Sequence, residues 1–586
     1  MLSLDLYVSI LEQVPANRNE SGALTLVNCL RAGAELREAA LVGALWKSHY
    51  RVRYVHTEED SETRLAARCN SNWRLMYAER RGRDKIALGL LRDMTLHREG
   101  RYQLAANLAS MSFDIWDALE IQCSLPVPTL FGGSTTAVAA PYALTLRFWA
   151  EAILDAISRK FAVLRWGRLN ETGNSVSFVD AFSSLSCFFG KPPQEMQSQL
   201  LALGNACREY LIKHQCRLDQ VHSDLPDICT KICEFMHEQG FGAVEPSRFY
   251  DISNHFPHLY LTTNKRSIPI SLVHIFVSLA RHLGISASPV EFPARVLAHV
   301  PSPAGSDDFL VDVYASDTKA IVSLRDDVPV MLTRLGIPVE QLHQYISPCG
   351  GAPMLLRAAR NILASFRNDA SRSTAQSAIY AAVCIHLLLT NDVQLVAHML
   401  SHVDLDPLWA STFLADMQPL LRHGGQYQLA KSCGMALEAE EQQAALIHSR
   451  TSHAQITHYV GMVFEHRSYH YIGCITGWDA SCLATAEWQM NMNVRNLPRG
   501  ADQPFYHVLS LDGGQRYVAE DNINPRRLTA ELALQFFKDV SAIPRFFSDA
   551  YPHPDSCRGR WCLSPELKHA YPDDEHFSKI YDEYAM

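Results

Sequence analysis

Cysteine and histidine, the residue types that most often carry chemistry in proteins, are plentiful in this sequence but form no familiar motif. The 586-residue chain has 15 cysteines and 25 histidines. The closest cysteine pairs, Cys229/Cys233 and Cys557/Cys562, lack the Cys-x-x-Cys spacing of redox and zinc sites, and His-Glu-x-x-His is absent. Phosphate-binding glycine motifs are absent as well. The sequence therefore predicts no metal site, no cofactor and free thiols in a reducing, intracellular compartment.

The composition is that of an ordinary globular protein, with 47% hydrophobic and 20% charged residues. Such a chain buries enough apolar surface to fold, which excludes disorder throughout. No apolar run approaches the roughly 20 residues of a membrane helix, and residues 1–15 lack the regions of a signal peptide. A net charge of −9 argues against a protein that mainly grips nucleic-acid phosphates. We expect a cytoplasmic and/or nuclear protein without membrane partners.

The length suggests roughly four folded units, and the pattern of apolar residues predicts a multidomain α+β protein. Helical spacing dominates the N-terminal region, where the third of three short helices runs from Leu36 to Tyr54; alternation begins after residue 455, with a tight hairpin at Asp512–Gly514. The predicted regions are 1–55, three short helices; 56–125, a helical connector; 126–140, a linker; 141–345, a mixed domain; 346–450, a helical extension; 455–527, a small β domain; and 528–586, one helix with an irregular tail.

Residues 1–55 resemble an F-box, a three-helix module that docks a Skp-type adaptor and, through it, a cullin ubiquitin ligase. The matching residues are Leu4, Leu6, Ile10, Leu11, Leu45 and Trp46. The resemblance implies that these six side chains bind the adaptor, although Leu4-Asp5 replaces the usual Leu-Pro opening of the family. A helical cap of a larger domain is the alternative interpretation of this segment.

The middle of the chain is similar to the SirB-type transglutaminase-like domain. The matching segments are Gly240-Phe241-Gly242, Tyr250-Asp251 with Asn254, and Ser267–Leu272, which precedes a helix predicted at Ser271–Leu283 and ended by Gly284. The resemblance covers roughly 200 residues and implies a mainly helical middle region. It also implies where catalytic residues of the family would lie.

Those catalytic positions are degenerate in this sequence. A transglutaminase-type mechanism needs a cysteine at a helix N-terminus, where the dipole and a histidine favour the thiolate. The matching positions hold Pro269 and, for the histidine, Arg295, whose guanidinium cannot accept a proton. Asp312 matches the third member of the set. Ser271 lies nearby but needs a base to become a nucleophile, for which His299 is the alternative candidate, so the resemblance implies a kept fold without its chemistry.

Residues 455–527 resemble the YccV/HspQ family of small SH3-like β-barrels, often described as hemimethylated-DNA-binding. The motif residues are His466, Arg467, Tyr471, Gly473, Tyr506, His507, Tyr517, Glu520 and Asn522. The aromatic residues of this unit, among them Trp478 and Trp488, form either its core or a recognition face. His507 and Glu520 either make structural hydrogen bonds or contact a ligand.

The order F-box, SirB-type domain and YccV-type domain resembles that of the F-box only protein 21-like family. It implies a non-catalytic substrate-recognition subunit of a Skp–cullin–F-box ubiquitin ligase, whose middle and C-terminal domains recruit target proteins for ubiquitination and degradation. A DNA-binding protein acting through the YccV-like domain and a hydrolase or transglutaminase-like enzyme remain alternatives. Residues 458–525 contain four arginines, no lysine and seven acidic residues, a net charge of −3 that disfavours DNA as a partner.

Overall fold

The computed structural model describes residues 3–136, 138–170, 176–218, 224–302, 307–314, 320–366, 372–390, 408, 411, 427–452, 455–552 and 559–584. They form two compact units. One unit combines residues 1–154 with residues 435–586, and the other comprises residues 155–434. The N-terminal helices and the C-terminal β domain therefore belong to the same unit.

Four short helices and a 3₁₀ turn form the N-terminal end of the first unit. They are α1 (Leu4–Glu12), α2 (Ser21–Leu30), α3 (Ala34–Ala40), the 3₁₀ turn Gly43–Leu45 and α4 (Trp46–Arg53). The prediction of one third helix from Leu36 to Tyr54 is wrong, because the chain is extended at Val42. The Trp46 indole Nε1–H donates to the Ala40 carbonyl across 2.9 Å and thereby holds α4 against the end of α3.

Five further helices follow, four in the connector region and one after the segment 126–140. They are α5 (Glu59–Arg68), α6 (Trp73–Leu96), α7 (Arg101–Ser110), α8 (Trp116–Cys123) and α9 (Ala143–Gly167). The Asn72 side chain begins α6 by accepting the backbone N–H groups of Arg74 and Leu75 at 3.0 and 3.3 Å. A buried ion pair of 2.9 Å between Arg53 and Asp84 joins α4 to α6. The N-terminal helices are thus tied to the connector by charge as well as by packing.

The segment predicted as a linker, residues 126–140, packs against the C-terminal part of the same unit. Val127 and Phe131 are buried in one core with the β domain. The Phe131 ring lies 4.8 Å from that of Phe537 and is stacked 6.0 Å from that of Trp561. The proline- and glycine-rich composition therefore marks an irregular segment of the core, because the apolar residues within it bury their surface.

The second unit combines helices with two small sheets. Its helices are α10 (Phe178–Ser183), α11 (Pro193–Lys213), α12 (Leu225–Glu238), α13 (Pro257–Tyr260), α14 (Pro269–His282), α15 (Asp327–Arg334), α16 (Leu342–Ile346), α17 (Gly351–Phe366) and α18 (Arg372–Leu389). Its strands are β1 (Gly242–Ala243), β2 (Arg266–Ser267), β3 (Ser288–Val290), β4 (Leu297–Val300), β5 (Phe309–Val311) and β6 (Ile321–Ser323). Strands β1 and β2 pair in parallel, and β3 to β6 form an antiparallel sheet in sequence order.

Helix α14 is the central element of this unit, and it matches the helix expected from the apolar spacing of the sequence. Eleven of its side chains are buried, and Gly284 follows it with a φ of +83°, a left-handed conformation that favours glycine. The helical extension predicted to residue 450 includes α17, α18 and α19 (Tyr427–Ala444). Apart from residues 408 and 411, the part of that prediction between 391 and 426 lies outside the described residues.

The C-terminal part of the first unit is built on a five-stranded antiparallel sheet in the order β10-β9-β8-β7-β11. The strands are β7 (Val463–His466), β8 (Ile472–Asp479), β9 (Phe505–Ser510), β10 (Gln515–Ala519) and β11 (Ile523–Pro525), with helix α20 (Ala486–Asn491) between β8 and β9. The hairpin predicted at Asp512–Gly514 joins β9 and β10, and Gly513 has a φ of +81°.

The tail predicted to be irregular after one helix is instead folded onto this sheet, which corrects the sequence analysis. It contains α21 (Ala530–Asp539), α22 (Ile543–Phe546), a hairpin of β12 (Phe547–Tyr551) and β13 (Arg560–Leu563), α23 (Pro565–Ala570) and α24 (Asp574–Tyr584). Its aromatic residues Phe547, Trp561 and Tyr571 share one core with the sheet residues Trp478 and Tyr506. Burial of these large rings is the physical reason why the tail is ordered.

Glu566 of α23 forms ion pairs with three arginines. Its buried carboxylate pairs with Arg101 at 2.7 Å, Arg545 at 3.2 Å and Arg98 at 3.4 Å. Burial alone would raise the pKa of Glu566, but the three guanidinium groups lower it to about 2. The tail is therefore fixed to α7 and the segment before it by an ionised carboxylate. None of the described helices combines the length and the apolar character needed to cross a membrane.

Candidate functional site

The position matching a catalytic cysteine lies at the first turn of α14 and carries no nucleophile that is free to react. Pro269 is the first residue of the helix, where its missing N–H is tolerated. Ser271 is fully buried, and its hydroxyl donates to the Asn254 carbonyl across 2.6 Å. Among the described residues, no histidine is hydrogen-bonded to the Ser271 hydroxyl. The serine therefore joins α14 to the turn before it and has no base to activate it.

The positions matching the catalytic histidine and aspartate are in contact, but as an ion pair. Arg295 Nη1 lies 2.8 Å from Asp312 Oδ2, and the other carboxylate oxygen accepts the Tyr314 backbone N–H at 3.2 Å. The guanidinium is half-exposed and the carboxylate is buried. The alternative base, His299, lies 3.0 Å from the carboxylate of Asp308. The fold thus brings the two matching positions together, with a permanent cation where a proton acceptor would be needed.

Sequence reasoning missed a histidine contact in the same unit that resembles catalytic geometry. His274 Nε2 lies 3.2 Å from the Ser183 hydroxyl, and Nδ1 lies 2.8 Å from the Tyr260 hydroxyl. Burial lowers the pKa of His274 to about 4, so the ring is neutral at physiological pH. All three side chains are buried, and a substrate has no access to them. We interpret the group as a hydrogen-bonded core, which only the folded chain reveals.

The six residues predicted to bind an adaptor divide into exposed and buried side chains. Leu4, Leu6 and Ile10 on α1 are 39%, 44% and 49% exposed. The prediction fails for the other three, Leu11, Leu45 and Trp46, because they are buried in the core of the N-terminal helices. A buried side chain supports the fold and cannot form part of a preformed surface. Leu24 of α2 and Leu41, directly after α3, are further exposed apolar residues that the sequence analysis omitted.

The first YccV-like motif residues shape the turn between β7 and β8. His466 is buried, and its Nδ1 accepts the backbone N–H groups of residues 468 and 469. Arg467 is exposed, and its backbone N–H donates to the Asn522 carbonyl across 2.9 Å. The Arg516 guanidinium stacks 4.1 Å from the centre of the Tyr471 ring. Gly473 allows close strand packing, since a Cβ there would lie 2.6 Å from Val508 Cγ1.

Glu520 has a structural position in the folded domain. Its carboxylate accepts the Tyr506 hydroxyl at 2.6 Å and the Thr457 hydroxyl at 2.7 Å, and it pairs with Arg499 at 3.0 Å. Burial would raise the pKa of Glu520, but these three donors lower it below its usual range. Tyr506 is fully buried. The hydrogen bonds support the interpretation that Tyr506 and Glu520 hold the domain together.

His507 and Tyr517 converge with Asp479 on the other face of the sheet. The Tyr517 hydroxyl donates to Asp479 Oδ2 across 2.7 Å, and His507 Nε2 lies 3.2 Å from the same oxygen. The ring of Trp488 lies 5.7 Å from that of Tyr517. Trp478 is instead fully buried, and its indole N–H points at Asp574. Of the two tryptophans considered from the sequence, only Trp488 is near an accessible surface.

One group of residues in the described part of the chain has donor atoms close enough to hold a metal ion. His56, Asp117 and Glu120 offer ligand atoms within 4.8 Å of one another. The Arg18 guanidinium, however, pairs with both carboxylates, and His56 Nδ1 lies 3.0 Å from Asp117. The Arg18 guanidinium therefore already supplies the positive charge that a metal ion would bring to these carboxylates. We interpret this group as an ion-pair cluster that fixes the loop after α1.

Comparison with known proteins identifies two family regions and a set of relatives. Residues 194–360 match the transglutaminase-like superfamily, and residues 456–549 match the family described as hemimethylated DNA-binding protein YccV like. F-box only protein 21 of Pongo abelii is 25% identical over 338 residues, and that of Mus musculus is 24% identical over 345 residues. The chain resembles F-box only protein 21. The resemblance inferred from the order of motifs is thus confirmed.

The similarity covers only part of each protein, so it does not by itself assign the function of the relatives to this chain. Each alignment covers 56% of this chain and 52% of the relative, so the chain spans about half the length of the curated relatives it matches. No solved structure matches the chain. The transglutaminase-like and YccV-like regions are established by their family matches, whereas the F-box remains a prediction from the sequence.

Proposed function

We propose that this protein is the substrate-recognition subunit of a Skp–cullin–F-box ubiquitin ligase in the cytoplasm and/or nucleus. The observation that carries the proposal is the pair of exposed apolar side chains, Leu6 and Ile10, on one face of α1. The relatives named F-box only protein 21 support it. The protein itself would be non-catalytic, and its middle and C-terminal domains would hold a target lysine near the ubiquitin-conjugating enzyme.

Helix α1 is suited to present an apolar surface. The Ser3 hydroxyl caps its N-terminus, and Leu11 anchors it in the core of the N-terminal helices. Leu6 and Ile10 lie four residues apart on the helix face opposite Leu11 and are 44% and 49% exposed, and Leu4 is exposed at the first residue of the helix. Exposed leucine and isoleucine on one short, anchored helix are typical of a surface that docks another protein. A Skp-type adaptor is the partner that the family resemblance implies.

Affinity purification of the full chain tests the proposal. We expect the wild-type chain to retain a Skp-type adaptor and a cullin, and the double variant Leu6→Asp/Ile10→Asp to lose both, because two charges would enter an apolar contact. Leu11 is unsuitable for this test, since its replacement would disrupt the core. Val330→Asp, at a half-exposed position of α15, is the matched control. A folded double variant that still retains the adaptor would refute the F-box assignment.

DNA binding through the YccV-like domain is the second candidate, favoured by the family description of residues 456–549. Between residues 458 and 525, which contain no lysine, the structure leaves few unpaired arginines for phosphate contacts. Arg499 pairs with Asp521 and Glu520, and Arg516 pairs with Asp512. Of the four arginines between residues 458 and 525, Arg467 and Arg495 have no ion-pair partner among the described residues, and Arg526, directly after this range, pairs with Glu465.

We therefore expect the full chain to bind duplex DNA weakly at about 0.15 M salt, whether hemimethylated or not. Fluorescence anisotropy with labelled duplexes measures this. Submicromolar binding with a steep salt dependence, lost in Arg467→Ala/Arg495→Ala, would place DNA ahead of the ubiquitin-ligase proposal.

A further inference from the structure

The YccV-like sheet displays an acidic and aromatic site around Asp479, at the end of β8. The strand register places His507 of β9 opposite Gly477 of β8 and opposite Tyr517 of β10. Asp479 lies two residues after Gly477 and therefore on the same face as His507 and Tyr517. Tyr517 and His507 meet one carboxylate oxygen of Asp479 at 2.7 and 3.2 Å.

Asp479 differs from the other hydrogen-bonded carboxylates of the domain in the charge of its partners. Glu520 and Asp512 each pair with an arginine. Asp479 contacts a phenol and an imidazole, and in the described part of the chain neither an arginine nor a lysine pairs with it. Its side chain is only 9% exposed. His507 is a cation only when it is protonated, so this largely buried carboxylate has no permanent cationic partner among the described residues, a cost in free energy that an incoming arginine or lysine would recover.

The ionisation state of Asp479 is set by the same contacts. Burial would raise the pKa of Asp479, but the hydrogen bonds from His507 and Tyr517, together with the electrostatic effect of His507 and His448, hold that pKa below its usual range. The carboxylate is thus negative at neutral pH. Its second oxygen, Oδ1, accepts no hydrogen bond from the described residues. Oδ1 of this negatively charged carboxylate is therefore available to accept a hydrogen bond from a binding partner.

Aromatic rings border this carboxylate. The Tyr517 ring lies 4.9 Å from the ring of His507, 5.1 Å from that of Phe505 and 5.7 Å from that of Trp488. The His507 side chain is 55% exposed, so its outer face is open to solvent. Guanidinium and ammonium groups are attracted to the faces of aromatic rings, and guanidinium also stacks on them.

An apolar surface lies beside the rings, on the segment between β8 and β9. The Leu483 backbone N–H donates to the Tyr517 hydroxyl across 3.2 Å, while the Leu483 side chain is 71% exposed. Met490 and Met492 on the same segment are also largely exposed. Exposed leucine and methionine adapt to apolar side chains of a partner.

We propose that the Asp479 site, formed by Asp479, His507, Tyr517 and Leu483, binds an arginine or lysine side chain of a protein segment with apolar neighbours. The inference rests on the proposed function as a substrate receptor, and it names the chemistry of the segment recognised. The cation donates to Asp479 Oδ1 and stacks on the exposed ring of His507, while a neighbouring apolar side chain packs on Leu483. A phosphate backbone would meet the negative carboxylate and be repelled.

Peptide binding to the full chain tests this inference. The probes are four fluorescent heptapeptide pools with identical randomised neutral and apolar flanks and a central arginine, lysine, citrulline or glutamate. We expect the arginine pool to bind about tenfold or more tightly than the pool with citrulline, its neutral isostere, which corresponds to one charge-assisted hydrogen bond. We also expect the difference to shrink at high salt.

Asp479→Asn should abolish the preference for arginine over citrulline, because the amide retains the shape of the carboxylate without its charge. Asp502→Asn removes the same charge from an exposed position of the domain and should leave the preference intact. Leu483→Ser, at an exposed position that should tolerate substitution, should weaken both pools by a similar factor. Equal binding of the arginine and citrulline pools, an arginine preference that survives in a folded Asp479→Asn chain, or tighter binding of the glutamate pool would overturn the inference.

The two proposals fail in different assays. If the wild-type chain shows no arginine preference while the adaptor still co-purifies, only the inference about the Asp479 site is refuted. If the arginine pool is preferred but neither adaptor nor cullin co-purifies, the ligase assignment is refuted, and the Asp479 site belongs to a binding protein of another kind. Duplex DNA that displaces the arginine pool from the wild-type chain would show that nucleic acid occupies this face, and it would refute the inference.

Discussion

Asp574, the first residue of α24, holds the C-terminal helix against the YccV-like sheet, and its replacement by alanine should destabilise the first unit strongly. The side chain is completely buried. Its carboxylate accepts Arg450 Nε at 2.7 Å, the Val460 backbone N–H at 2.7 Å and the Trp478 indole N–H at 3.2 Å. Removing the carboxylate leaves the Arg450 guanidinium, which is about 10% exposed, without its counter-charge.

The expected loss follows from the cost of leaving a buried charge unpaired. Breaking such a pair by removing one partner typically costs about 3–5 kcal/mol of unfolding free energy. At roughly 2–4 °C per kcal/mol, the midpoint of thermal unfolding should fall by about 6–20 °C. Asp574→Asn keeps the side-chain shape and one carbonyl acceptor, so we expect a smaller loss.

Urea unfolding followed by tryptophan fluorescence and by circular dichroism is the appropriate assay, since Trp478 lies directly on the Asp574 carboxylate. Asp502→Ala at an exposed position is the control and should change the unfolding free energy by less than about 0.5 kcal/mol. An Asp574→Ala chain within that margin of the wild type would refute the reasoning and would indicate that the tail contributes little to the stability of the sheet.

Gly473→Ala should lower the unfolding free energy by about 1–3 kcal/mol, because the added Cβ would lie 2.6 Å from Val508 Cγ1. Gly89→Ala in α6, where nothing lies within 4 Å of the added Cβ, should raise it by up to about 1 kcal/mol. Urea unfolding midpoints measure both changes. Since the pKa of Glu566 is lowered from 4.5 to about 2, the stability that it contributes is present above pH 4.5 and lost as the pH falls towards 2. In unfolding free energies measured across that range, Glu566→Gln should remove about 3 kcal/mol of this pH dependence. Iodoacetamide-type probes should label no cysteine between 234 and 348, where the sequence has none. Amide hydrolysis or transamidation that disappears in Ser271→Ala would contradict a non-catalytic middle domain.

The sequence was sufficient wherever the deciding signal is local. Apolar spacing and Gly284 predicted a helix at Ser271–Leu283 that the structure has at Pro269–His282. Alternation and the turn residues Asp512–Gly514 predicted the hairpin between β9 and β10. The family motifs within each segment predicted the transglutaminase-like and YccV-like regions that the comparisons confirm. These features depend on residues a few positions apart, whose conformational preferences can be recognised from the sequence without knowledge of the fold.

The N-terminal helices show what local patterns could not decide. The F-box resemblance placed Leu6, Ile10, Leu11 and Trp46 together in one adaptor surface, but apolar spacing does not reveal which side of a helix is covered by the rest of the chain. The structure buries Leu11 and Trp46 and leaves Leu6 and Ile10 exposed. Burial of an apolar face depends on which distant segment packs against it, and a helical period is equally compatible with a core and with a docking surface.

Charged side chains were the least predictable from the sequence, because their roles depend on partners far along the chain. Asp574 meets Arg450, 124 positions earlier, and Glu566 meets Arg101, 465 positions earlier. Asp479 is one acidic residue among seven in its segment, and only the register of β8, β9 and β10 places it beside His507 and Tyr517, with neither an arginine nor a lysine paired to it in the described part of the chain. The amino-acid sequence by itself determined the local elements and the family resemblance. Tertiary packing alone decided which apolar side chains remain exposed and which charges remain unpaired, because both depend on contacts between residues distant in the chain.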